Sequence, residues 1–150
     1  MSKTYTIVAL RGDGIGPEVT DATVKVLKAV EAKSNFKLNI VYGEAGAHCI
    51  PQYGTNLPAE TLELIKKSDA CLKGPMTTPE EAGAPPSVAV TLRRIFSLYA
   101  NVRPCKTFPN VEALKPNIDF IVVRENTEGL YSGAETLLAP GVGIALRIIT

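Results

Sequence analysis

The feature that most constrains this chain is the way its first apolar run is broken. Residues 6–10 (Thr-Ile-Val-Ala-Leu) are β-prone, and they pass directly into Arg11-Gly12-Asp13-Gly14-Ile15-Gly16-Pro17-Glu18. Glycines at alternate positions end a strand sharply, while Pro17 suits the first position of a helix and Glu18 suits the positive end of its dipole. Val19, Ala22, Val26, Leu27 and Val30 then recur at helical spacing, so the helix should run to about Ala32. A strand, a tight glycine turn and a helix in this order are the opening of an α/β fold.

The alternation continues. Residues 36–42 alternate with period two and read as a strand, and Pro58 opens a second helix with Leu62 and Ile65 facing inward. Residues 69–73 form a short strand closed by Gly74-Pro75. A Pro/Gly-rich loop over 79–86 leads to a third helix carrying Val88, Leu92, Ile95, Phe96 and Tyr99 on one face. After Arg103-Pro104 an irregular segment is expected. The unbroken apolar run at 120–123 then suits a strand covered on both faces. Two β-prone stretches, 131–138 and 144–150, close the chain. This order predicts an α/β protein with a mostly parallel sheet. Residues 1–104 read as part of one domain and 105–150 as the start of a second. A strand that stops at Thr150 without cap or polar tail is expected of a partial chain.

Bulk properties narrow the partners. With 150 residues, 45% hydrophobic and 21% charged, the chain can bury a core and is not disordered. A net charge of +1 offers no field for nucleic acid or an anionic membrane, so any anion must be held by a few placed arginines. No apolar run approaches a membrane span or a signal peptide's apolar region. Cys49, Cys71 and Cys105 are odd in number and lack a C-x-x-C pair, as expected of reduced thiols in a cytoplasmic protein. His48 beside Cys49 has no further partner at metal-ligand spacing and reads as structural. Glu80-Glu81 reads as solvated charge, and Asp13 as a cap on the glycine turn.

Taken alone, the chemical signals are modest. The turn spaces its glycines G-x-G-x-G and so misses the dinucleotide fingerprint G-x-G-x-x-G; Glu44 lies past Gly43, leaving no acidic residue at the end of the second strand. On spacing it is a structural turn. Three arginines sit at element ends: Arg93 on the flank of the third helix, roughly 115° from its apolar face at 100° per residue, Arg103 after that helix, and Arg124 ending the strand at 120–123. Ligands of open α/β sheets lie beyond such strand ends. Guanidinium groups fork onto carboxylates with paired hydrogen bonds, so a polycarboxylate needs several that converge. Singly, each arginine reads as surface charge, Tyr131 as a strand tyrosine and Ser87 as a helix cap.

Whole strings say more. The opening Gly-Asp-Gly-Ile-Gly-Pro-Glu, Leu92-Arg93, Leu98-Tyr99-Ala100-Asn101-Val102-Arg103-Pro104 and Val123-Arg124-Glu125-Asn126-Thr127-Glu128-Gly129-Leu130-Tyr131 together resemble the isocitrate and isopropylmalate dehydrogenases, the β-decarboxylating dehydrogenase family. They span most of the chain in the family's order. The resemblance implies that family's non-Rossmann α/β fold, of which this is an N-terminal portion, and oxidation of a (2R)-hydroxy acid with NAD or NADP followed by loss of CO₂. It implies that Arg93, Arg103 and Arg124 hold substrate carboxylates and that Tyr131 is the catalytic phenol. It also implies Mg²⁺ or Mn²⁺, whose carboxylate ligands are not evident here, and a homodimer with shared active sites. This chain alone is then expected to be inactive.

Lys73-Gly74-Pro75-Met76-Thr77-Thr78-Pro79 resembles the isocitrate branch, which implies that Lys73 and Thr77 approach the cofactor and that Ser87 binds the γ-carboxylate. Ala89 departs from that branch, where asparagine is usual one turn before Arg93. The apolar Val88-Ala89-Val90 keeps isopropylmalate and homoisocitrate open, with isocitrate placed first. Other readings are a non-catalytic regulatory subunit or an inactive fragment; retention of Tyr131 and the three arginines speaks against the subunit.

Overall fold

An eight-residue strand, β1 (Lys3–Leu10), lies between two parallel neighbours, β2 (Phe36–Gly43) and β3 (Ala70–Lys73), in the order β2-β1-β3. A central parallel strand is covered on both faces, which is why residues 8–10 are continuously apolar and Val8, Ala9 and Leu10 are fully buried. Leu10 pairs with both Gly43 and Lys73, so the three strands end level. This computed structural model describes residues 2–81 and 83–150, with Leu130 described by its main chain only. The chain divides into two compact units between Val88 and Ala89.

In the first unit the glycine turn feeds α1 (Gly16–Glu31), with Pro17 in its first turn and Glu18 at the positive end of its dipole, as the sequence predicts. Its buried face is narrow, consisting of Gly16 and Thr20, and Val19, Val26 and Val30 remain exposed. A 3₁₀ turn (Ala47–Cys49) and the short α2 (Ile50–Tyr53), neither anticipated, follow β2. The next helix, α3 (Ala59–Lys66), begins just after Pro58 and buries Thr61 and Ile65, with Leu62 half-buried.

The second unit departs further from expectation. Its helix, α4 (Val88–Ile95), stops before Tyr99 can join its apolar face. Ser97 takes a left-handed φ of 49°, the Leu98 N–H donates to the Arg93 carbonyl at 2.9 Å, and the Ser97 N–H donates to that of Arg94 at 3.3 Å. This pair of bonds closes a helix end as a Schellman motif. Tyr99 is accordingly 71% exposed.

The segment around Arg103-Pro104 is a strand, β4 (Ala100–Lys106), paired antiparallel with β5 (Asp119–Glu125). Pro104 is tolerated because a two-stranded ribbon has an outer edge that needs no N–H donor. The expected cover on both faces of residues 120–123 is absent among the described residues, where Phe120 to Val123 are 41–65% exposed. A hairpin of β6 (Glu135–Ala139) and β7 (Val142–Ala145) follows, turning at Gly141 with φ 76°. Among the described residues no helix is long and apolar enough to cross a membrane.

Candidate functional site

In the first unit, chemistry gathers where the three parallel strands end. The Asp13 carboxylate accepts from the Ala47 N–H (2.8 Å), the His48 N–H (3.0 Å) and the Thr77 N–H (2.8 Å), and contacts His48 Nδ1 at 2.8 Å. One side chain from the loop after β1 therefore ties down the loops after β2 and β3. The sequence reading of Asp13 as a cap was too local. Burial alone would raise the Asp13 carboxyl, but the His48 ring and the three backbone donors outweigh it and hold the group at about 2.

The glycines serve close packing. A Cβ on Gly12 would lie 2.0 Å from the Pro75 carbonyl oxygen, and one on Gly16 would lie 2.2 Å from that of Arg11. The space an open phosphate cradle would need is filled by the chain's own backbone, which agrees with a non-Rossmann turn. Lys73, at the end of β3, donates its Nζ to the Gly74 carbonyl at 2.8 Å. Thr77 is exposed with its main chain fixed by Asp13, and Ser87 is half-buried immediately before α4.

The second unit holds the arginines and the tyrosine. In the β4–β5 register Asn101 opposes Arg124 and Arg103 opposes Val122, so Arg103 and Arg124 lie diagonally on one face of the ribbon. Arg103 Nε donates to Asn101 Oδ1 at 2.9 Å. Arg124 Nη2 donates to Asn126 Oδ1 at 2.8 Å, and its guanidinium carbon lies 5.2 Å from the centre of the Tyr131 ring. Asn126 is buried and donates to the Leu98 carbonyl at 3.4 Å. The Arg124 Nε–H is buried with no acceptor among the described residues.

Arg124 and Tyr131 line a cleft of about 670 Å³ together with Glu125, Glu128, Arg147 and Ile149. The bend that places Tyr131 there is held by Glu125, whose carboxylate accepts from the N–H groups of Thr127 and Glu128 and from the Thr127 hydroxyl. Desolvation would raise that carboxyl, yet these donors bring it to about 2. A bridge between Gly129 and Ile148 brings Arg147 to the cleft. Sequence reasoning missed Asn126 and Arg147: nothing in the spacing of residues 144–150 signals that bridge. Arg93 is half-buried on α4, and neither it nor Arg103 lines this cleft.

Level parallel strands with tied loops in one unit, and a cleft lined by two arginines, two glutamates and a tyrosine in the other, define an α/β protein with a charged site. The chain belongs to the isocitrate/isopropylmalate dehydrogenase family, whose sequence profile matches residues 6–149. It is 39% identical, over 98% of its length, to the 3-isopropylmalate dehydrogenase of Saccharolobus solfataricus, of which it covers 42%. It is 44% identical to the isocitrate dehydrogenase [NADP] of Thermus thermophilus, with 96% of this chain and 29% of that protein aligned. The crystal structure of isocitrate dehydrogenase from Methylococcus capsulatus superposes with a TM-score of 0.84 at 37% identity, covering 97% of this chain and 43% of that one. The chain thus spans less than half the length of these relatives.

Proposed function

We propose that this chain supplies the N-terminal portion of an NAD(P)-dependent enzyme that oxidatively decarboxylates a (2R)-hydroxy polycarboxylate, isocitrate before isopropylmalate or homoisocitrate. In this reading the chain carries part of a larger domain and the start of a smaller one; the sequence boundary at 104/105 falls inside β4, whose pairing with β5 keeps both sides of it in the second unit. The observation that carries it is the Arg124–Tyr131 pair. A buried guanidinium N–H without an acceptor is costly, and a carboxylate oxygen would satisfy it beside a phenol.

Arg124 would hold a substrate carboxylate in the cleft, while Arg93 on α4 and Arg103 on β4, which do not line that cleft, would have to reach the other carboxylates of the same substrate. Ser87 would take the γ-carboxylate that distinguishes isocitrate, while the small apolar Ala89 is the feature that suits isopropylmalate. Thr77 and Lys73 would face the cofactor, and the fixed main chain and exposed side chain of Thr77 are compatible with that. A nicotinamide held beside Lys73 and Thr77 would supply the acceptor for the hydride that leaves C2. Loss of the β-carboxylate as CO₂ then leaves an electron pair at C3, and the Tyr131 phenol supplies its proton there.

For the divalent cation, Mg²⁺ or Mn²⁺, the described residues offer no hard oxygen ligand set. Their single grouping of three or more possible ligands contains a histidine and a thiol, so no step is assigned to this cation. We also propose a homodimer with shared active sites. The exposed apolar side chains of β6, Leu137 at 79% and Leu138 at 69%, support a further covering surface.

The test is kcat/KM on the full-length protein for isocitrate, isopropylmalate and homoisocitrate. Isocitrate should lead. A preference for isopropylmalate would reassign the pocket to Ala89, and turnover of none would overturn the reading. The 150-residue chain by itself should turn over no substrate.

A further inference from the structure

Beyond the cleft, one cluster in the first unit has a chemistry that the proposed reaction does not use. Glu44 Oε2 lies 3.0 Å from His48 Nε2, and Cys49 Sγ lies 3.4 Å from the same nitrogen. The three donor atoms all fall within 4.8 Å of one another. For tetrahedral zinc, metal–ligand bonds near 2.0–2.3 Å give ligand-to-ligand edges of roughly 3.3–3.6 Å. Two of the cluster's edges, 3.0 and 3.4 Å, are close to that geometry, and the third lies within 4.8 Å.

Its surroundings are ordered in the way a metal-binding imidazole requires. His48 Nδ1 contacts Asp13 Oδ1 at 2.8 Å, so with a cation bound Asp13 would hold the proton on Nδ1 and leave the Nε2 lone pair for the cation between Glu44 and Cys49. Asp13 also fixes the His48 main chain. The Thr61 hydroxyl donates to the Glu44 carbonyl at 2.8 Å and anchors the other end of the loop. Gly46, with φ 136°, lets this loop close over Asp13, because a Cβ there would lie 2.5 Å from Asp13 Oδ2. Cys49 forms a buried floor, while Glu44 and His48 are exposed, so the cluster is reached from solvent on the side of those two.

We propose that Glu44, His48 and Cys49 form a binding site for a borderline-soft divalent cation of the zinc class, with Asp13 as the residue that positions His48. The donor set of one thiolate, one imidazole and one carboxylate excludes Mg²⁺ and Mn²⁺ as preferred occupants. All three ligands belong to the loop after β2, which Asp13 already ties to the turn after β1, so the cation would stiffen that tied loop. Without a cation, the His48 ring instead bridges the Asp13 and Glu44 carboxylates by hydrogen bonds.

Cobalt distinguishes the two states. The full chain carrying Cys71→Ser and Cys105→Ser, stripped with a chelator, is titrated with Co²⁺. One equivalent should bind with a near-ultraviolet thiolate-to-cobalt absorption, and Cys49→Ser should abolish that absorption. Zn²⁺ affinity, read by competition with a chromogenic chelator, should fall at least about tenfold in Glu44→Gln and His48→Gln. In Asp13→Asn it should fall about 10–100-fold with the cobalt absorption retained, as expected of a positioning residue. Glu44→Gln alters an exposed side chain, so far-ultraviolet circular dichroism of that variant controls for folding. Absence of the thiolate absorption, its survival in Cys49→Ser, or undiminished Zn²⁺ affinity in Glu44→Gln and His48→Gln would overturn the proposal in favour of a His48 ring that only bridges the two carboxylates.

Discussion

The Arg124 guanidinium sits over the Tyr131 ring at 5.2 Å, and the two residues are tied by the same bend at the end of β5. A cation over an aromatic face is attracted by the ring's quadrupole, which orients the ring without consuming the hydroxyl. One Arg124 nitrogen is held by Asn126, while Nε–H lacks an acceptor among the described residues. The pair therefore presents an unused cationic donor and a phenol side by side.

Tyr131→Phe separates these two contributions. The ring and its contact with Arg124 survive, so folding should be unchanged by circular dichroism, and only the proton donor is lost. In the full-length protein kcat should fall roughly 10²–10⁴-fold, the usual range for a positioned acid. Steady-state kinetics with an unaltered kcat would remove Tyr131 from the chemistry.

Arg124→Lys keeps the charge and discards the planar fork. A lysine cannot grip Asn126 and a carboxylate together with fixed geometry. KM in the full-length protein should rise about tenfold or more, because charge-assisted bonds contribute roughly 1.5–3 kcal/mol. An unchanged KM would mean that Arg124 is held for structure alone.

How far the sequence disclosed this arrangement depends on the range of the interaction. Pro17 and Glu18 announce α1, and the run at residues 8–10 announces a buried parallel strand, because both signals are local. The end of α4 was hidden because Ser97, not a glycine, takes the left-handed position, and β4 was hidden by Pro104. At the site, Arg124 was legible as a strand-end cation. Its contacts with Asn126 and Tyr131 follow from a bend held by Glu125, which no periodicity encodes. Asp13 was underestimated for the same reason: two of the loops it joins lie more than thirty residues away.

The glycine turn offers a matched pair. Gly12 has φ +75° and its Cβ position lies 2.0 Å from the Pro75 carbonyl, whereas Gly14 has φ +57° with nothing within 4 Å. Gly14→Ala should cost only the left-handed backbone penalty of about 1–2 kcal/mol. Gly12→Ala adds a collision with backbone that cannot rotate away and should cost more than about 3 kcal/mol. Urea unfolding of both variants checks this; equal losses would mean that close approach to Pro75 is not what Gly12 supplies.

Acid stability tests Asp13. Its carboxyl is held at about 2 against an ordinary 3.8, so the folded state binds that proton less readily than the unfolded chain. The corresponding stabilisation, roughly 2 kcal/mol at 1.36 kcal/mol per unit, is complete above the ordinary value and is lost as pH falls through the folded one. His48 acts in the opposite sense. Its raised value stabilises the fold below its ordinary 6.5, and that contribution disappears as pH climbs past the folded value. The two groups together predict a plateau between about pH 4 and 6.5, with an acid arm belonging to Asp13 and an alkaline arm to His48. Asp13→Asn should remove the acid arm's contribution between pH 4 and 2. It should also speed amide exchange at Ala47 and Thr77, whose N–H groups the carboxylate now accepts. Protection of those two amides that stays constant through the acid arm would show that Asp13 does not hold the loops together.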